Sequence, residues 1–356
     1  MFEQRLEALR RSLADSKLDA LLVTHLPHVR YLTGFSGSNG LCIIGKRSRC
    51  FLTDNRYVGQ AREEARAYRV VITRRSLFEA AAKQPVLSGK TRLGFEGQYL
   101  SVAGFATLKK RLPRVTFVQT QSLVERLASV KDAVEVRLIR RAVEISDKVF
   151  CRIVEFVRPG MTELDVAAEI GYLHRKFGAE ADAFEPIVAS GWRGALPHAR
   201  ASTKKIRSGE LVTLDFGCRV EGYNSDLTRT VAVGRPTARA RRIYQVVLDA
   251  QMRAIEAARR GMTAKVLDGV ARSHIRKKGY GKYFSHSLGH GLGLQVHEAP
   301  RISSLSKDVL QDGNVVTIEP GIYVPGVGGV RIEDDVVIRD NHPEVLTKSP
   351  KELLIL

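Results

Sequence analysis

The stretch L211-V-T-L-D-F-G-C-R-V-E-G-Y-N-S-D-L-T-R-T230 decides how the rest of the chain is read. Its first half is apolar and β-branched, Glu221-Gly222 supplies turn chemistry, and the chain then returns toward Leu227, so the stretch predicts a β-hairpin. Folding about that turn is expected to bring Asp215 opposite Asp226. Facing carboxylates repel unless they share a proton or a cation, so the pair asks for a positive partner. Asp also favours strand ends and turns for backbone reasons, and a solvated hairpin face is the other reading of this stretch taken alone.

The sequence repeats itself around the hairpin. Ser208–Gly217 (SGELVTLDFG) is echoed by Gln311–Gly321 (QDGNVVTIEPG), which pairs Asp215 with Glu319. Upstream, Ile153–Thr162 (IVEFVRPGMT) is echoed by Ile255–Thr263 (IEAARRGMT), each closing one helix and opening another. Each half therefore predicts two helices followed by a hairpin with one acid on its outgoing strand and one on its return. In the second half the return acid is Glu333, within GGVRIEDDV. Packing the two hairpins together would gather Asp215, Asp226, Glu319 and Glu333, whose mutual repulsion amounts to several kcal/mol and calls for divalent cations. The segment SHSLGHGLGLQVHE adds His286, His290 and His297, and one imidazole widens an oxygen set suited to hard ions toward manganese, cobalt, iron or zinc. Glycines 289, 291 and 293 permit close approach. His198, in ALPHA, holds a place in the first half corresponding roughly to His297.

A chain of 356 residues exceeds the size at which one core usually keeps growing, so two domains are expected. The 44% apolar content is ordinary for a globular protein. No apolar run approaches the roughly 20 residues that span a bilayer, and the opening MFEQRLEALRRSLADSKLDALLV is too charged for a signal peptide, so a cytoplasmic protein is expected. Cys42, Cys50, Cys151 and Cys218 form no CxxC pair and read as reduced, buried thiols without chemistry. The net charge of +19 is uneven: residues 1–131 hold 23 Lys+Arg against 10 Asp+Glu, and the remainder 34 against 28. A basic front end admits nucleic acid as a partner. Its cations are dispersed (Arg47, Arg49, Arg56, Arg62, Arg66, Arg69) without the interleaved aromatics of a stacking platform, so a solvated surface is expected and nucleic acid is not.

In chain order, apolar Leu6, Leu9 and Leu13 predict an amphipathic helix, followed by a strand at Ala20–Val23. YLTGFSGSNG (Tyr31–Gly40) reads as a structural glycine and serine loop, since it lacks the lysine of a phosphate-binding loop. Strands at FLTDNRY, RVVIT and TRLGFEG, mixed with helical stretches such as Ser101–Leu112, make residues 1–131 an α/β domain. A long helix then begins near Lys131-Asp132 and ends at Pro159-Gly160, and the second domain is expected over 132–356.

The motifs LPHA, TLDFG, GYNSDLTRT, GHGLGLQVHE, TIEPGIY and GGVRIEDDV resemble, in order, those of the pita-bread metallopeptidases, in the branch that holds Xaa-Pro aminopeptidase (aminopeptidase P) and prolidase. YLTGFSGSNG and FLTDNRY are similar to the creatinase/prolidase-type amino-terminal domain of those enzymes. The resemblance implies an α/β N-terminal domain plus an α+β pita-bread catalytic domain with an internal pseudo-two-fold repeat. It implies Asp215, Asp226, His290, Glu319 and Glu333 as ligands of two divalent metal ions, manganese foremost with cobalt, zinc or iron as alternatives, Asp226 and Glu333 bridging. By the same resemblance a water bridging the metals attacks the bond before proline, Glu319 shuttles the proton, His198 and His297 donate hydrogen bonds to the substrate, and His286 supports the pocket. Arg331 is expected beside a site carboxylate or the substrate. The implied activity is release of the residue before proline from peptides, with Arg193 in SGWRGALPHA favouring the aminopeptidase over a prolidase restricted to Xaa-Pro dipeptides. A homodimer is implied as well. A non-catalytic binding protein using the basic N-terminal domain is the reading of a different class.

Overall fold

The computed structural model describes residues 2–356, in two compact units that divide between Ala128 and Ser129. In the first, strands β1 (Ala20–Val23), β2 (Gly40–Gly45), β3 (Arg49–Asp54), β4 (Arg69–Thr73), β5 (Arg92–Glu96) and β6 (Thr116–Thr120) form one sheet in the order β4-β3-β2-β1-β5-β6. The β1–β2 and β2–β3 pairs are antiparallel, whereas β1–β5, β3–β4 and β5–β6 are parallel. Parallel neighbours need crossovers, and helices such as Val102–Arg111 supply them. The first helix, Phe2–Asp15, buries Leu6, Leu9 and Leu13 as its spacing predicts. YLTGFSGSNG is less of a loop than its glycines suggest. Tyr31–Thr33 finish the helix Leu26–Thr33, whose carboxyl end is capped by left-handed Gly34, and Gly40 already belongs to β2.

The second unit is built twice over. Helix Ala133–Phe156 starts from a capping box in which Asp132 accepts from Val134 and Glu135 while Glu135 reaches back. It is followed by helix Glu163–Lys176 with Thr162 as its N-cap, and then by the hairpin β9 (Glu210–Phe216) to β12 (Leu227–Val233). The second half runs through helix Ala238–Ala257, helix Ala264–Lys277 capped by Thr263, and the hairpin built from β15 (Val315–Ile318) and β18 (Asp334–Val337). The two threonines of the echoed helix junctions thus do the same work. Each half has its own apolar core: Ile170, Val212, Leu214, Phe216 and Val231 in one, Val247, Leu267, Val316, Ile318 and Val336 in the other.

The outgoing strand of each hairpin also has one flanking strand. β8 (Ile187–Ser190) pairs with β9, and β13 (Gly289–Gly291) pairs with β15, so His198 and His297 both follow the flanking strand of their half. Short strands complete the unit: β7 (Ala181–Asp182), β10 (Cys218–Val220) and β11 (Tyr223–Asn224) around the first turn, β14 (Glu298–Ile302) beside β13, β16 (Gly321–Val324) with β17 (Gly328–Arg331), and β19 (Glu344–Val345) on β18.

Two expectations need correction. Asp215 lies opposite Thr228, not Asp226; the Glu221-Gly222 turn, with φ of 48° and 85°, fixes a register in which Asp226 falls opposite Gly217. Cross-strand partners share a face, so Asp226 is the diagonal neighbour of Asp215 on the same side of the hairpin. A side chain at Gly217 would strike the Ser225 carbonyl at 1.9 Å, so the crossing demands glycine. The cysteines are all free, but only Cys42, Cys50 and Cys218 are buried. Cys151, on the outer face of the long helix, is exposed. Among the described residues no helix is long and apolar enough to cross a membrane.

Candidate metal centre

Strand alternation places the acids. Leu214 and Phe216 enter the core of the first half, which turns Asp215 to the other face; Leu227 does the same for its neighbours Asp226 and Thr228. In the second half Ile318, Val330 and Ile332 are core residues, so Glu319, Arg331 and Glu333 project to the opposite side. The register running through β15–β18 and β16–β17 sets Glu319 opposite Glu333. Laid on the first half with Asp215 matched to Glu319, that register puts Glu333 at the place of Thr228 and Arg331 at the place of Asp226. The return acids are therefore not equivalent: the second half carries its acid two residues later and holds a cation where the first has an anion.

Ligand atoms of Asp226, His290 and Glu333 all lie within 4.8 Å of one another. Glu319 joins them through its Oε1, 3.4 Å from His290 Nε2, which is also 3.8 Å from Asp226 Oδ2. Asp215 stands in the same buried group, with one oxygen engaged by Arg331. Its Oδ2 accepts from the Arg331 guanidinium, while its buried Oδ1 has no hydrogen-bond partner. Glu333 Oε2 accepts from Thr228 Oγ1 at 2.5 Å, and the Asp226 N–H donates to Asp335 Oδ2 at 3.0 Å.

His290 tests whether a cation fits. Its Nδ1 lies 3.1 Å from the Gly291 carbonyl, which only accepts, so Nδ1 carries the proton and Nε2 presents a lone pair to the carboxylates. Burial, then the neighbouring His297, holds the ring's pKa down at about 3, so the short His290–carboxylate distances are no ion pairs. A lone pair aimed at carboxylate oxygens is relieved only by something positive between them. The acids agree: burial, reinforced by Glu333 and Asp215, raises Asp226 well above the usual carboxylate range, and burial with Glu319 and Asp215 does the same to Glu333. Burial pushes Glu319 up to about 8. Left alone these groups must take up protons; a hard divalent cation replaces those protons, and carboxylates plus one neutral imidazole form a fitting donor set.

The remaining expected residues surround this group. His297 packs edge-on against His290, ring centroids 4.3 Å apart, and is exposed, as is His198. Partial burial of the His297 ring lowers its pKa, with the Asp215 charge opposing. His286 is held by Tyr323, whose hydroxyl lies 2.9 Å from Nε2, and burial followed by Arg331 lowers it to about 4. Arg331 is buried, its donors directed to Asp215, Thr228 Oγ1 (3.1 Å), the Tyr323 hydroxyl (2.8 Å) and the Pro197 carbonyl (3.1 Å). That places it beneath a site carboxylate. Arg193 turns from the site as well: its Nε donates to buried Glu163 at 2.9 Å and its NH2 to the Arg200 carbonyl at 2.5 Å, bracing the loop that carries His198.

Sequence reasoning passed over Thr228, Tyr323 and Asp335. Thr228 and Tyr323 had a signal available, since each sits inside a quoted motif on the strand face that carries the acids. Asp335 had the same signal, inside GGVRIEDDV two residues after Glu333, but its place under Asp226 depends on a contact across 109 residues of sequence.

Comparison with known proteins gives the family and the fold. Residues 137–340 match the family described as Metallopeptidase family M24, and residues 5–130 match the Creatinase/Prolidase N-terminal domain. The Xaa-Pro dipeptidase of Pyrococcus furiosus is 41% identical over 99% of this chain and 100% of its own. The structure of an Xaa-Pro dipeptidase from Bacillus anthracis superposes with a TM-score of 0.97 at 42% identity, covering 100% of both chains. The X-Pro aminopeptidase from Thermotoga maritima gives 0.89 at 38%, covering 96% of this chain and 98% of its own. An α/β N-terminal domain, a pita-bread second domain with an internal repeat and a carboxylate-rich centre come together in one chain, which belongs to metallopeptidase family M24.

Proposed function

We propose that this chain hydrolyses the peptide bond preceding proline, with Asp215, Asp226, His290, Glu319 and Glu333 holding two divalent metal ions. The observation that carries the reading is His290 Nε2 set 3.4 Å from Glu319 Oε1 and 3.8 Å from Asp226 Oδ2, with Glu333 in the same group. Bound there, the metal supplies Lewis acidity, which activates water and stabilises developing negative charge. Glu319, whose Oε1 lies 3.4 Å from His290 Nε2, is the proposed carrier of the proton taken from water and returned to the leaving nitrogen. His297 and His198, both exposed beside this group, offer N–H donors to the carbonyl under attack or to the residue after it. His286, locked by Tyr323, shapes the pocket wall. Manganese is the proposed metal, and a cytoplasmic homodimer the proposed working form.

Of the two finer readings we favour the prolidase. Arg193, the residue that spoke for the aminopeptidase, is spent on Glu163 and the Arg200 carbonyl, and the likeness is fuller to proteins called dipeptidases. The experiment is hydrolysis of an Xaa-Pro dipeptide and an Xaa-Pro-Xaa tripeptide by metal-stripped protein, with and without Mn²⁺. Metal-dependent cleavage of the dipeptide alone supports the prolidase; cleavage of the tripeptide makes it an aminopeptidase. Inactivity toward both with every candidate metal overturns the peptidase reading and leaves binding by the basic N-terminal unit.

A further inference from the structure

Below the acids lies a second buried cation. Arg229 is 1% exposed, and all its donor nitrogens are engaged. Its NH1 donates to the Thr228 carbonyl at 3.0 Å and to the Glu333 carbonyl. NH2 donates to Asp334 Oδ1 at 2.8 Å and to the Ser349 carbonyl at 2.7 Å, and Nε donates to the Pro350 carbonyl at 2.9 Å. One guanidinium thus joins the return strand of the first hairpin, the backbone of Glu333 and the segment 348–356. Thr228 is the meeting point, because its carbonyl also accepts the Glu333 N–H at 3.1 Å and its hydroxyl donates to the Glu333 carboxylate.

The segment 348–356 is itself secured away from the acids. Asp147, on the long helix, accepts from the Ser349 N–H (2.8 Å), the Ser349 hydroxyl (2.5 Å) and the Lys348 N–H (2.9 Å). Lys351 Nζ donates to Asp334 Oδ2 at 2.8 Å, and its carbonyl accepts from the Tyr244 hydroxyl at 2.8 Å. Further on, Leu354 and Leu356 pair with the backbone of Ala232 and Gly234. Asp334, buried and adjacent to Glu333, is therefore clasped by Arg229 on one oxygen and by Lys351 and Gln251 on the other.

We propose that Arg229 is a positioning residue for Glu333, and that the segment 348–356, docked through Asp147 and Lys351, is the buttress that holds Arg229 in place. A carboxylate that must meet a metal is only as well placed as its backbone, and Glu333 lies with Ile332 in the two-residue link between β17 and β18. The surrounding hydrogen bonds fix its carbonyl, its N–H and its side chain together, through Arg229 and Thr228. Groups that support ligands from behind typically govern metal affinity by about 10- to 100-fold. Lysine in place of Arg229 keeps the charge but loses the planar fork that reaches three segments at once.

This inference rests on Glu333 as a ligand, so the experiment carries Glu333→Gln beside the variants. Mn²⁺ is titrated calorimetrically into metal-stripped wild type, Arg229→Lys, Asp147→Ala and Glu333→Gln, with circular dichroism and urea unfolding on each. Arg229→Lys is expected to lose about 10- to 100-fold in Mn²⁺ affinity with native ellipticity, and its peptidase kcat to recover at high Mn²⁺. Asp147→Ala, which makes no hydrogen bond to a site residue, shifts affinity in the same direction by less. Unchanged affinity in a folded Arg229→Lys, while Glu333→Gln has lost binding, overturns the inference. Should Arg229→Lys not fold, unchanged affinity in Asp147→Ala does so instead. Full binding by Glu333→Gln would show that the ligand assignment had failed, a different result.

Discussion

At His290 the backbone decides the chemistry: the Gly291 carbonyl accepts from Nδ1–H, so Nε2 faces the acids without a proton. Glu319 is raised from 4.5 to about 8, so the folded state holds its proton more tightly, and the stability this gives is lost as pH rises toward 8. His290 and His286 are lowered from 6.5 to about 3 and 4, and their contribution is lost as pH falls below 6.5. Between pH 4.5 and 6.5 the two oppose each other; from 6.5 to 8 only the carboxyls act. The metal-free protein is therefore expected to melt at a lower temperature at pH 8 than at pH 6.5, with the gain on adding Mn²⁺ larger at pH 8. Calorimetric melting in chelator and in Mn²⁺ checks this, and a flat metal-free profile over that window would contradict it. Arg331→Met leaves Asp215 buried without its partner, a loss that costs about 3–5 kcal/mol in comparable pairs. Urea unfolding of the metal-free protein reads it, and added Mn²⁺ is expected to restore part of the difference.

The repeated helix junctions make a controlled comparison at the scale of elements. Thr162 and Thr263 each cap a fourteen-residue helix, accepting from the backbone N–H three residues on. Thr162 has Asp165 to return the favour, whereas Thr263 faces Val266 and has no reciprocal partner. Each Thr→Ala change is expected to cost about 1 kcal/mol, the Thr162 variant more because Asp165 loses its role as well. Lying in separate halves with separate cores, the two losses should add in the double variant. Equal costs at the two junctions would rule out the reciprocal contact as a contributor. This much was legible beforehand, since capping is local chemistry written within four residues. The Asp215–Asp226 register was not, because the turn could be placed but not the pairing counted from it.

For the molecule as a whole, the residues proposed to hold metal and those behind them all lie beyond Ser129, and the apolar clusters beneath the two hairpins are complete within that unit. A fragment spanning 129–356 is expected to unfold cooperatively and to bind Mn²⁺ with the wild-type stoichiometry. Fluorescence-monitored unfolding with equilibrium dialysis tests this, and a fragment that is molten or binds no metal would place part of the centre's support in residues before 129. The sequence by itself determined the two-part organisation, the doubled helix–helix–hairpin plan, the helix starts and the set of acids and histidines. Those properties depend on periodicity, caps and an internal echo, which are local or self-referential. Only the tertiary structure decided that Asp226 lies diagonal to Asp215, that Arg331 takes the place of a fourth symmetric acid, and that Arg193 braces a loop. It alone joined Arg229 to the segment 348–356 behind Glu333. The Arg331 and Arg229 contacts cross more than a hundred residues of chain, and all of these features are set by strand register and by which buried charge finds a partner, which no spacing in the sequence encodes.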